Sequence, residues 1–278
     1  MADAISVSSV QPMSESALHR FAVVGLVCAT LGVLTGAMVT SSGDNAYLLL
    51  HEMTASGMAV VLVILSVWMA TKHIAASLGW TLLALVIAEG GVGHLVTGPG
   101  IAVVHALLGQ ILFSVSAAAV TATSSAWMQP GEPVEDHGWP SLRSLGTITP
   151  FLVLIQVTLG ANFRHKIMGV LPHLFGAMVL VLVILCVCIF VMQQFPKHTV
   201  LRPAAHMLLA IAFTQIFLGI AAFTVRTMTT KATPTVVYVT AVHATVGAMT
   251  LAAAVVLAMQ IRRNVFKPAQ PAEESSAA

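Results

Sequence analysis

Eight long apolar runs limit this chain more than any motif does. They lie at about residues 20–40, 46–71, 75–98, 101–123, 146–163, 169–194, 202–225 and 235–261. An α-helix needs roughly 20 apolar residues to cross a bilayer core. Backbone groups in hydrocarbon must be bonded within the segment, so runs of this length fold as membrane helices. With 58% hydrophobic and 8% charged residues, the chain is far more apolar than a soluble domain. The expected fold is all-α, a membrane protein of eight transmembrane helices in two pseudo-symmetric four-helix bundles.

The breaks between runs carry the usual punctuation, as in Ser41-Ser42-Gly43-Asp44-Asn45, Thr97-Gly98-Pro99-Gly100 and Pro196. The longest break, 124–145, holds Pro130, Gly131, Glu132, Pro133, Glu135 and Asp136. It divides the chain into an N-terminal half, 19–123, and a C-terminal half, 146–262, joined by a cytoplasmic linker. Residues 1–18 are polar and Ser-rich, and 263–278 end in Ala and Ser with Pro268 and Pro271. Both are expected to be disordered tails, and the first shows no cleavable signal peptide. Cys28, Cys186 and Cys188 lie inside apolar runs and read as small buried hydrophobes, as the methionines read as filler.

Orientation follows from lysine and arginine. With both termini cytoplasmic, the inner side holds Arg20, Lys72, Arg143, Lys197, Arg202, Arg262, Arg263 and Lys267, against Arg164, Lys166, Arg226 and Lys231 outside. The net charge of +2 sits at loop ends and gives no ground for nucleic-acid binding. The partner it does imply is the lipid bilayer.

Within this frame one motif occurs twice. Val104-His105-Ala106-Leu107-Leu108-Gly109 returns as Val242-His243-Ala244-Thr245-Val246-Gly247, both V-H-A-x-x-G near the start of an even-numbered run. His51 and His173 open the other two even runs. The odd runs repeat as well. Gln156 to Gly160 and Gln215 to Gly219 both read Q-x-x-L-G, with a weaker copy from Glu89 to Gly93. Glycine there permits close approach of a neighbouring helix or a flat ligand. A buried neutral imidazole needs a partner for each nitrogen. A haem iron between facing helices provides one. The expected pairs are His51 with His105 and His173 with His243. Two histidines per half leave a zinc site incomplete.

These residues resemble the heme A synthase family of cytochrome oxidase assembly proteins. The likeness covers about residues 20–262. It rests on His51 followed by Ala55-Ser56-Gly57, His105 in V-H-A-L-L-G, Gln156 to His165, His173, Gln215 to Gly219 and His243. It implies a haem b cofactor on His173 and His243, and a haem o substrate at His51 and His105. The implied reaction oxidises a ring methyl of haem o to a formyl, giving haem a. It also implies a multi-pass location in the inner (plasma) membrane. The implied partners are cytochrome oxidase assembly factors, haem o synthase or a second copy of the chain.

The chain departs from the family at three places. Leu48 stands where the family keeps a glutamate, three residues before His51, and Glu52 stands in place of an arginine. The loop at about 41–45 is short and lacks a cysteine pair. Because Glu52 is one helical turn from Leu48, it is the expected catalytic carboxylate. Glu89 is either a second functional carboxylate or a hydrogen-bonded structural one. His94 and His165 read as interfacial rather than as ligands. Arg164, Lys166 and Arg226 suit haem propionates as charged forks, and equally suit snorkelling at the interface. Two other readings stay open: a non-catalytic bis-histidine diheme cytochrome, and a transporter whose histidines line a proton or metal path.

Overall fold

The computed structural model describes residues 11–136, 138–229 and 231–267. Its helices are α1 (Gln11–Ser42), α2 (Asn45–Thr71), α3 (Ala76–His94), α4 (Pro99–Ala122), the single-turn α5 (Ser125–Met128), α6 (Leu142–Arg164), α7 (Leu171–Gln194), α8 (Leu201–Met228) and α9 (Pro234–Asn264). All but α5 are long and apolar enough to cross a membrane, which makes this an all-α, multi-pass membrane protein.

Several ends differ from the sequence expectation. Helix α1 starts at Gln11, so residues 11–18 are helical rather than tail, while residues 1–10 lie outside the described residues. Helix α6 starts at Leu142 instead of about 146. The Ser141 hydroxyl accepts from the Ser144 amide, and Asp136 Oδ2 accepts from the Leu142 amide at 2.5 Å, so two side chains cap it early. At the other end, α9 runs to Asn264. Val265–Phe266 (β2) then pairs in parallel with Val134–Glu135 (β1), in register Val134 with Val265. Residues 263–266 of the expected tail are therefore helix and strand, and residues 268–278 lie outside the described residues.

Both halves close in the same cyclic order. Helix α1 packs on α2, α2 on α3, α3 on α4 and α4 on α1; α6, α7, α8 and α9 repeat the circuit. The halves meet along α1–α9 and α4–α9, with a lighter α4–α6 contact. Small residues line this seam, where Ala29, Ala117, Ala248 and Ala252 surround Phe113. Short side chains let the helix backbones come close.

Packing within each half is uneven along the helix axes. In the first half the solid core is Leu18, Leu62, Leu65, Met69, Leu82 and Leu112, all towards the end that carries the linker. The second half matches it with Leu142, Ile184, Val187, Leu257 and Ile261. At that end Gly79 of α3 sits directly on α2, and an added Cβ would fall 2.9 Å from the Ser66 carbonyl oxygen and 3.1 Å from Met69 Cβ. Backbone cannot step aside as a side chain can. Gly79→Val is therefore expected to cost about 1–3 kcal/mol through overpacking, read as a lower melting temperature of the detergent-solubilised protein. His51, His105, His173 and His243 lie towards the opposite end, where they are only half-buried.

Candidate functional site

The four histidines meet in two pairs. His51 of α2 faces His105 of α4, with ring centroids 6.1 Å apart and planes at 73°. His173 of α7 faces His243 of α9 at 6.4 Å and 87°. The helices reach this match from different starting points. Helix α7 begins only at Leu171, whereas α9 begins at Pro234, well before its histidine.

A glycine from the preceding helix backs each ring. Measured from an ideal Cβ, Gly36 is 3.0 Å from His51 Cε1, Gly93 is 3.2 Å from His105, Gly160 is 2.9 Å from His173 and Gly219 is 3.1 Å from His243. Any side chain there would push the ring out of place. Three of these helices also carry a polar residue one turn earlier, namely Glu89, Gln156 and Gln215. Each reaches across to a glycine just beyond the histidine, at Gly109, Gly176 and Gly247 respectively. The repeated motifs thus record a lock in two parts, one glycine under the ring and a second under the polar side chain.

The polar partners fix the ring nitrogens. Thr35 Oγ1 lies 3.2 Å from His51 Nδ1 and donates its own proton to the Leu31 carbonyl at 2.8 Å, so it accepts from the imidazole. Glu89 Oε1 lies 3.2 Å from His105 Nδ1, within ion-pair reach though off the hydrogen-bond line. A carboxylate only accepts, so the proton belongs on Nδ1. At His173 the Gln156 amide nitrogen is 2.9 Å from Nδ1 and donates to the His173 carbonyl at 2.8 Å. In that orientation Nδ1 is the acceptor. Turning the amide over would present Oε1, which is buried without a partner, and reverse the tautomer. His243 Nδ1 and Gln215 Oε1 are both buried and unpartnered. Among the described residues, none of the four Nε2 atoms has a hydrogen-bond partner.

The ring spacing leaves room for a metal between the members of each pair. Two metal–nitrogen bonds of about 2.0–2.1 Å, with about 1.2 Å more from each nitrogen to its ring centre, put facing rings roughly 6.4 Å apart. The observed 6.1 and 6.4 Å agree. Among the described residues no three of His, Cys, Asp and Glu come together as a metal-binding group. An ion held here would take its remaining ligands from outside these side chains, and a porphyrin macrocycle is one source of them.

Other expected site residues fall elsewhere. Glu52 is exposed and has no hydrogen bond or ion pair among the described residues; the carboxylate beside a ring is that of Glu89. Arg164, at the end of α6, donates to the Thr240 carbonyl at 3.1 Å, to Ser41 Oγ at 2.6 Å and to the Ala37 carbonyl. It therefore ties α6 to α1 and α9 across the seam. Arg226 is exposed near the end of α8. His165, just beyond α6, is held towards its neutral form, first by burial and then by the Arg164 charge. Thr35 and Gly36 escaped the sequence reading, although Thr35-Gly36 stands in register with Leu159-Gly160, Leu218-Gly219 and Val92-Gly93 as a degenerate fourth copy.

No protein-family model matches the chain, and no curated protein matches it significantly.

Proposed function

We propose that this protein is a haem-binding membrane oxidoreductase of the heme A synthase type. The observation that carries the reading is the pair of matched imidazole spacings, 6.1 and 6.4 Å, each with glycine beneath both rings. His173 and His243 would hold a haem b, and His51 and His105 would hold the haem o whose ring methyl is oxidised. The bound haem b supplies one-electron redox chemistry. The chain's own contribution would be to hold the rings at fixed spacing, keep the surroundings apolar and present Nε2 from each, at His173 with the Gln156 amide turned so that Oε1 accepts from Nδ1–H. Arg226, exposed near the end of α8, would meet a propionate at the rim. Arg164, engaged with backbone carbonyls, would meet one only by sharing its guanidinium. In this reading the protein lies in the plasma (inner) membrane with both termini cytoplasmic, and haem o synthase or oxidase assembly factors are its partners.

One observation favours a second reading. Leu48 is 41% exposed, and Glu52 points to the surface, so α2 brings no carboxylate to the first pair. A diheme cytochrome that carries electrons without altering either macrocycle needs none. Co-expression with a source of haem o, followed by pigment extraction and chromatography, separates the readings. Haem a in the extract supports the synthase; two equivalents of haem b alone support the cytochrome. A purified protein with no Soret band overturns both.

A further inference from the structure

We infer that Glu89 is a positioning residue for His105, and that it makes the first histidine pair a stronger electron donor to a bound metal than the second. The inference rests on the bis-histidine reading above. Helices α3, α6 and α8 place Glu89, Gln156 and Gln215 in the same register, four residues before the glycines that back the rings, Gly93, Gly160 and Gly219. Their three side chains cross to the same place on the next helix, beside Gly109, Gly176 and Gly247. Two are amides and one is a carboxyl group. The substitution therefore falls on one atom of one ring, His105 Nδ1, at 3.2 Å from Glu89 Oε1.

A second observation points the same way. Glu89 Oε2 is buried with no hydrogen-bond partner among the described residues. A half-satisfied carboxylate in an apolar bundle is costly unless positive charge lies close by. No lysine or arginine reaches it among the described residues. An imidazole that donates Nδ1–H to Glu89 while Nε2 binds a metal cation supplies that charge. A carboxylate on the far nitrogen orients a ligating histidine and raises its basicity. For His173 to ligate through Nε2 the Gln156 amide must turn so that its Oε1 accepts from Nδ1–H, and a neutral amide oxygen raises the basicity of the ring less than a carboxylate does. The oxidised metal is then held more firmly in the first half than in the second, and its reduction potential is lower there.

The test uses full-length protein in detergent, carrying the haem it acquires on expression. Glu89→Gln keeps the shape and removes the charge. In a spectroscopic redox titration one of two midpoint potentials is expected to rise while the other stays put, with haem content retained. Gln156→Glu is expected to lower the other potential. Glu89→Ala, which removes the partner outright, should weaken haem retention in the first half by about 10–100-fold. Two unchanged potentials in Glu89→Gln overturn the inference and leave the bis-histidine reading intact. A haem-independent measurement stands beside it: nitrogen-15 NMR of histidine-labelled, haem-free protein, with the His105 signal assigned by its loss in His105→Gln. The Nδ1-protonated form is expected in the wild type, with a mixed tautomer in Glu89→Leu. An unchanged tautomer there overturns the positioning role, even for a protein that proved to bind no haem.

Discussion

His173→Ala and His243→Ala are each expected to empty the second half of haem while leaving the first half loaded. An axial histidine contributes a direct bond to iron, and even residues one step removed from such a bond change affinity by about 10–100-fold. Loss of a ligand should exceed that range. On the bis-histidine reading proposed above, which gives the wild type two haems, the purified variants should carry one, and that haem should keep a low-spin spectrum. His51→Ala and His105→Ala should show the converse. Alanine also leaves space, so the bundle should still fold; the solid core of the second half, around Ile184, Val187, Leu257 and Ile261, lies at the other end of the helices. If all four variants kept the wild-type pigment content, the rings would be packing residues and nothing more.

Gly160→Leu should reach nearly the same outcome without touching a ligand. An added Cβ alone would sit 2.9 Å from His173 Cε1, closer than real contacts allow. The rest of a leucine would occupy the volume of the ring itself. The histidine must then swing away from His243, and the 6.4 Å spacing is lost. Overpacking of this kind costs about 1–3 kcal/mol, so the melting temperature should fall modestly while the haem of that half disappears. Gly160→Ala should give an intermediate pigment loss. Gly57→Ala serves as the control, because nothing lies within 4 Å of its added methyl and neither property should change. A fully loaded Gly160→Leu protein would show that the ring is free to move, contrary to the lock described above.

The eight helices and the pairing of histidines could be read from the sequence because both rest on strong local signals. Length and hydropathy define a membrane helix nearly alone. The V-H-A-x-x-G repeat marks His105 and His243 as equivalents. What could not be read depends on rotation about the helix axes. Nothing in the spelling of α3 says that Glu89 turns to α4, or that Glu52, one residue past His51, turns away. Thr35 was hidden because its helix carries Gly32 where the others carry Gln or Glu, so the repeat lost its polar letter. The clasp of β1 on β2 was invisible for another reason, since two-residue strands are too short to show alternation. The early start of α6 was legible in principle, because Ser141 and Asp136 are both good capping residues.

That clasp bears on how the two halves could have come together. Apart from the local turn on Ser124, the bonds from residues 126–136 run to the second half. Arg263 donates to Gln129 and Ala126, Asn264 accepts from the Glu132 amide, His198 and Thr199 bond Glu132, and the Asp136 amide donates to Phe266. A chain nicked near Ser124 would keep this belt on α6–α9. The first half would be left attached through its seam alone. If the protein arose by duplication of a four-helix ancestor, the belt is an acquisition of one copy, and the second bundle is the more self-sufficient of the two.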